Sequence, residues 1–366
     1  MNKEFFSLIE LLKLSICSNC CINKKIFENV SWNLIYQSAM EQGVAGVCIS
    51  GIEQLPKDLR PTSEILLQWI GVASKIETTN RHRSILASNI ADLWKRHNIR
   101  TIVMKGMSIG MLYPVPLRRY SCDLDTFLIR QGQTDYMSEL WSAWADGDKT
   151  VEDSHIIVNR DYYRNSSFNF NGLHIENHRY CTYVKGNKRA KRFELLLRSL
   201  LNEPTTIIEG NLEAPCAMFV ALHTLSHAQG HFLAEGITLR HVSDWAIILD
   251  SYRDKLDWCQ FLTYCKEYGI DKFLYSLTRL VQKFFNISVH FDCGENNASD
   301  QKLLEDIYNL SNHLVKGTSP MARRIGYAKQ KLHSSWKYRY FSDKSMILAL
   351  FQQTCGYLFE KDPKLT

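Results

Sequence analysis

Asp123 and Asp125 flank one leucine at the head of an apolar run, Leu124, Phe127, Leu128 and Ile129, which reads as a buried strand. Alternation along such a strand puts both carboxylates on one face, where they repel each other unless a cation lies between them. Mg²⁺, or Mn²⁺ in its place, suits that pair, because a hard ion takes a few carboxylates and completes its shell with phosphate oxygens and water. Upstream, the apolar stretch 101–104 runs straight into Lys105, Gly106 and Ser108 at the start of a helical pattern. Backbone amides at a helix start, beside a lysine, can hold phosphate. Arg119, four residues before Asp123, can either clamp a phosphate chain as a bidentate donor or lock the carboxylate strand through an ion pair.

Two further groups carry chemistry. Asn171-Gly172 is a hairpin turn, and the strand after it sets His174, Glu176 and His178 on one face. A third carboxylate near an acceptor hydroxyl can take its proton or complete a second metal site; the alternative is an exposed edge glutamate between two surface histidines. His223, His227 and His231 recur every four residues on a helix. They spread over about 12 Å at 1.5 Å per residue, so one ion can bind only two of them.

These residues need elements to position them. Residues 1–98 read as helical; the stretch 5–12 is an amphipathic packing helix rather than a signal peptide, since Glu4 and Glu10 interrupt it. The last helix of this region is expected over 80–97, with Ile85, Leu86, Ile90, Leu93 and Trp94 at helical spacing, leading into a strand at 99–104. Between 100 and 180 the pattern turns to strands: a helical return over 131–144, then 155–158 and 162–170 as paired strands. From 191 onward helical periodicity returns, broken at Glu203-Pro204 and around 317–320. No repeat or low-complexity block is present.

Strand, Lys105-Gly106 with Ser108 at a helix start, Tyr113-Pro114, then Arg119 ahead of Asp123-Leu124-Asp125 resembles the nucleotidyltransferases of the DNA polymerase β type. The fuller string resembles one bacterial branch, nucleotidyltransferase family 5, over residues 80–250. The resemblance implies an α+β protein: a polymerase-β-like nucleotidyltransferase core, a small mixed sheet with helices, flanked by N-terminal and C-terminal helical regions. The implied divisions are 1–79, 80–185 and 186–366. It implies magnesium-dependent transfer of a nucleoside monophosphate from a nucleoside triphosphate to a hydroxyl or phosphate of an unidentified acceptor: a small molecule, a protein or RNA. Asp123, Asp125 and Glu176 would be catalytic, the first two holding the metal and Glu176 activating the acceptor. Lys105, Gly106, Ser108 and Arg119 would bind the nucleotide. His178, followed at a distance by His227, Arg240 and Asp244, would line the cleft. Two alternatives remain open: a toxin-type transferase acting on tRNA, and a module that keeps the fold but only binds a nucleotide or a protein.

Composition sets the frame. An apolar content of 45% and a charged content of 22% are those of an ordinary globular chain, and no apolar run is long enough to span a membrane. Eleven cysteines, an odd number without a regular framework, point to reduced thiols and a cytoplasmic protein. Cys17, Cys20 and Cys21 lack a second ligand pair for zinc. Between Lys316 and Lys344 eight Lys/Arg stand against one Asp, a local +7 within a net +6, which leaves the rest at about −1. Tyr327, Trp336, Tyr338, Tyr340 and Phe341 interleave with these charges. Such a segment can track RNA, or it can be a helix with a solvated basic face and its aromatics in the core; the second reading is preferred.

Overall fold

The structure is a computed structural model that describes residues 1–17, 20–132, 142–309, 334–360 and 363–365. Its organising element is a six-stranded mixed sheet in the order β3-β4-β2-β1-β6-β5. The strands are β1 Ile99–Val103, β2 Leu124–Arg130, β3 Asn165–Phe170, β4 Leu173–His178, β5 Thr206–Glu209 and β6 Leu212–Ala214. β1 pairs antiparallel with β2, while β2 pairs parallel with β4 and β1 parallel with β6. β2 is central and buried along its length except at Arg130, which is why it reads as an unbroken apolar run.

The two faces of β2 enter different cores. Leu124 and Leu128 join Leu173, Ile175, Leu86, Ile90 and Trp94 beneath helix α4, Ser63–Lys95. Phe127 and Ile129, with Ile102 and Met104, face the larger core built by the flanking helices. Those helices are α1 Lys3–Ile16, α2 Trp32–Glu41 and α3 Ala45–Gln54 before the sheet, α7 Lys188–Leu200 between β4 and β5, and after β6 α8 Ala217–Ala234, α9 Leu239–Ser251, α10 Trp258–Tyr268, α11 Asp271–Phe285 and α12 Asn297–Tyr308. Short α5, Met107–Gly110, and α6, Trp144–Glu152, lie between strands, and α13 Ser335–Phe341 and α14 Met346–Phe359 follow α12. α1 is the packing helix expected: Asn2 caps it by accepting from the Phe5 amide at 3.1 Å, and Phe5, Leu8, Leu11 and Leu12 are buried.

Several expectations change. Helix α4 begins at Ser63, not at 80, and runs 33 residues; before Leu86 it buries only Trp69 and Ala73, too little apolar rhythm to be seen in sequence. The expected division at 79/80 falls within this helix. The division at 185/186 leaves out β5 and β6, which pair onto the sheet through β1. That hairpin interrupts the helical pattern expected from 191; its turn is set by Gly210 at φ 55°. The hairpin at Asn171-Gly172 is present, both residues having positive φ, with the Gly172 amide donating to Asn169 Oδ1 at 2.7 Å. Residues 155–158 form no strand; their neighbour Asn159 makes a single bridge to Ser167. The helical return expected at 131–144 lies mostly outside the described residues, and α6 starts at Trp144. Residues 316–333 of the basic segment also lie outside them. Its described end is core: Lys337 is buried on Asp306 at 2.8 Å and the Phe232 carbonyl at 3.0 Å, and Phe341 is buried against Phe232.

Among the described residues no helix is long and apolar enough to cross a membrane, and the eleven cysteines are free. Helix α6 approaches β2 so closely that a Cβ at Gly147 would lie 2.1 Å from Leu128 Cδ1, with Trp94 Nε1 donating to the Gly147 carbonyl at 3.0 Å. Gly147→Ala is therefore expected to destabilise the protein by about 1–3 kcal/mol, despite its better helix propensity, as read from the urea midpoint. An unchanged or raised midpoint would show that α6 yields freely.

Candidate active site

Parallel pairing of β2 with β4 sets Asp125 directly opposite Glu176. Both residues, with His178 two positions on, point to the face that carries α8. Their exposure falls along β4: His174 is exposed, Glu176 half-buried and His178 buried. His178 Nε2 lies 3.1 Å from Asp125 Oδ1 and 3.3 Å from Glu176 Oε2. Among the described residues this is the group whose ligand atoms all fall within 4.8 Å of one another.

The tautomer of His178 gives that convergence its meaning. Its Nδ1 is 3.3 Å from the Tyr180 carbonyl, which can only accept, so Nδ1 carries the hydrogen. Nε2 in turn faces two carboxylates, so it can bond to them only through a hydrogen and offers a lone pair only where a cation stands in that hydrogen's place. Three electron-rich atoms facing one point require a proton or a cation among them. One cation already present is Lys105, whose Nζ is 3.1 Å from Asp125 Oδ1. Burial alone would raise the Asp125 pKa, but the contacts with His178 and Lys105 outweigh it and hold the carboxyl well below its usual range. Glu176 is also lowered, chiefly through its hydrogen bond with His178.

Asp123 departs from the expected geometry. It precedes β2 rather than lying in it, is exposed, and its carboxylate is not part of the converging group. It lines, with Asp125, a cavity of about 240 Å³ walled on the other side by α8 and α9. Lys105, Gly106, Arg119, His227, Arg240 and Asp244 line the same cavity. Ser108 does not: its side chain is buried, with Oγ lacking a hydrogen-bond partner. The helix at this point, α5, is one turn long, so its dipole offers little to an anion. Gly106 has φ +70°, and a Cβ there would sit 3.0 Å from Ser121 Oγ; the turn requires glycine.

Arg119 takes the ion-pair role, and its partner is Asp244 on α9 rather than a carboxylate of β2. Nε and Nη2 donate to the two Asp244 oxygens at 2.6 and 2.7 Å, Tyr113 Oη donates to Oδ1 at 2.8 Å, and Nη1 reaches the Gly106 carbonyl at 3.2 Å. Both members of the pair are buried. The bidentate contact ties the Gly106 turn to the helical wall of the cavity. Tyr113 stood in the sequence motif without a role, and only the contact with Asp244 supplies one.

The wall itself is richer in imidazole than the sequence suggested. His223, His227 and His231 on α8 and His241 on α9 form a chain of ring contacts, with centroid separations of 6.1, 4.5 and 5.8 Å. His241 sits at the start of α9, where its Nδ1 accepts the Thr238 amide at 3.2 Å. Its proximity to Arg240 in sequence was the available signal. Burial pushes the pKa values of His223 and His241 down to about 3, nearby Lys105 and Arg240 adding to the effect, and lowers that of His227 well below its usual range.

The chain matches the family model described as uncharacterised nucleotidyltransferase over residues 28–286. No curated protein and no solved structure matches it.

Two outcomes follow from this site. Removing Arg119 strands a buried carboxylate, so Arg119→Met should cost about 3–5 kcal/mol in urea unfolding, and Asp244→Leu added to it should recover much of that loss. A single-mutant cost below about 1 kcal/mol would mean that the pair is solvated. The second concerns pH. An unfolded histidine binds its proton near pH 6.5, whereas His223 and His241 in the fold bind it near pH 3. Between these values the unfolded chain holds more protons. The stability from the two neutral rings is thus complete above pH 6.5 and shrinks as pH falls below it, by up to about 1.4 kcal/mol per histidine per pH unit. Thermal melts of the parent and of His241→Asn between pH 7.5 and 5 should diverge in slope; parallel slopes would refute the assignment.

Proposed function

Because the chain belongs to the uncharacterised nucleotidyltransferase family, we propose that it moves a nucleoside monophosphate from a nucleoside triphosphate to an acceptor, at a divalent metal held by Asp125, Glu176 and His178. The observation that carries this reading is the convergence of one imidazole nitrogen and two carboxylates beside Lys105, of which Asp125 and Lys105 also line the cavity under α8 and α9. The donor set fits a divalent cation of borderline character, with an imidazole among oxygens, and so favours Mn²⁺ at least as well as Mg²⁺. Such an ion, when bound, supplies charge to the phosphate under attack and to the leaving pyrophosphate.

The chain's own residues have separable tasks. Asp125, Glu176 and His178 would hold the ion, which would give Glu176 a ligand role ahead of the acceptor-activating one expected for it. Lys105 pairs with Asp125 and, with a divalent ion on that carboxylate, would be free to turn toward phosphate. Asp123, exposed and lining the cavity, would be available to the acceptor. Arg119, saturated by Asp244, fixes the Gly106 turn rather than touching the nucleotide. His227, Arg240 and Asp244 belong to the wall against which the nucleotide lies. Positioning and charge neutralisation, rather than covalent chemistry by the protein, carry the rate in this scheme.

Mn²⁺ together with a nucleoside triphosphate should raise the melting temperature in proportion to RT ln(1 + [L]/Kd), and Asp125→Asn or His178→Ala should abolish that rise. A rise that survives both substitutions would dismiss the metal site. For the reaction, α-labelled nucleoside triphosphates with Mn²⁺ or Mg²⁺ and a cell extract should give label transferred to RNA, protein or a small molecule, and Glu176→Gln should lower transfer by at least about 10²-fold. Transfer within tenfold of the parent would remove Glu176 from the working site.

A further inference from the structure

The imidazole chain and its neighbours on α8 and α9 point to a ligand that the carboxylate group does not account for. Thr224 Oγ1 is buried without a hydrogen-bond partner, although the residue lines the cavity. A hydroxyl hydrogen there wants an acceptor. His223, itself buried, places Nε2 3.2 Å from the Cys181 carbonyl, so Nε2 holds the hydrogen, and its Nδ1 is left with no partner. His241 accepts the Thr238 amide at Nδ1, so its neutral ring carries its hydrogen on Nε2, ready to donate. Lys105 and Arg240 border the same space. Among the described residues these imidazoles do not gather into a group with metal-ligand spacing. The acids nearby are already engaged or at the rim: Asp244 by Arg119, Asp125 by Lys105 and His178, and Asp123 exposed at the mouth. The Thr224 hydroxyl and the His241 Nε2–H as unmet donors, with Lys105 and Arg240 as cations, describe the inverse of a polyphosphate, while the lone pair at His223 Nδ1 faces away from that role.

Resting on the nucleotidyl-transfer reading, we propose that this wall, built on Thr224, His227, His241 and Arg240, seats the pyrophosphate end of the nucleotide and takes up a proton as that anion arrives. His227 is the centre of the uptake. It is faced by Lys105 from the β1–α5 turn at 3.3 Å, by His223 and His231 from its own helix, and by His241 from α9. Beyond these, Glu235 holds His231 Nδ1 at 2.7 Å, and Arg240 and Asp244 act on His241. Burial and the surrounding positive charge lower the His227 pKa well below its usual value. A polyanion reverses the second of these, and a protonated ring gains a charge-assisted hydrogen bond to it. The same proton neutralises part of the charge on departing pyrophosphate after the bond from the α-phosphorus to the bridging oxygen has broken and that oxygen has kept the electron pair.

The test is calorimetric titration of the full-length protein with magnesium pyrophosphate at pH 7, in two buffers of different ionisation heat. The expected result is net proton uptake, with affinity falling as pH rises from 6 to 8. Thr224→Val and His227→Gln, each checked by thermal unfolding, should weaken binding about tenfold, and His227→Gln should also reduce the uptake. Pyrophosphate binding without uptake, or untouched by both substitutions, overturns the proposal. So does Zn²⁺ alone binding in a manner lost in His227→Gln while pyrophosphate binding is unaffected, which would make the imidazoles a metal site. If Mn²⁺ and a nucleoside triphosphate stabilise the protein while pyrophosphate does not bind, this inference fails and the proposed function stands. If neither binds, the proposed function fails and the inference with it.

Discussion

The parallel pairing of β2 with β4 is the constraint on which the site depends. In the observed register Asp125 lies opposite Glu176, and alternation then brings His178 to the same face. A slip of one residue would turn Glu176 and His178 toward the core beneath α4 and bring Ile175 to the cavity side. What prevents the slip is apolar: Leu124, Leu173 and Ile175 are buried on one face, Phe127 on the other. The cluster of charges is thus aligned by the hydrophobic residues that alternate with it.

A second constraint joins the sheet to the helices. The buried Arg119–Asp244 pair, with Tyr113 on the same carboxylate, fastens the Gly106 turn to α9. Ion pairs of this kind add little net stability compared with an apolar filling, but a missing partner is costly, so they enforce one arrangement over others. Here that arrangement makes Asp123 and Asp125, at the start of β2, and the imidazoles of α8 and α9 opposite walls of one cavity. The site is shared between parts of the chain more than a hundred residues apart.

Part of the cluster's placement was legible before any fold was known. Asp125 inside an apolar run, Gly106 after a lysine, and Glu176 with His178 two residues on are local patterns, and local patterns survive in sequence because strand alternation and turn geometry are local physics. The family likeness drawn from them agrees with the family match over residues 28–286, and the expected α+β organisation with a small mixed sheet appears as six strands flanked by helices. Less visible was the span of α4, because a largely exposed helix carries a faint apolar rhythm, and the β5–β6 hairpin, because short edge strands leave little pattern.

The sequence by itself determined which residues could do chemistry and the faces of the elements on which they would stand. Three matters were decided only by tertiary structure. Asp123 and Asp125 part company because β2 begins at Leu124, so alternation no longer governs the residue before it. Arg119 is spent on Asp244, a partner 125 residues away that no local spacing reveals. His178 is held between the Tyr180 carbonyl and Asp125 because the neighbouring strand supplies that carboxylate. Each turns on a contact between distant segments, and contacts of that kind are set by packing rather than by periodicity.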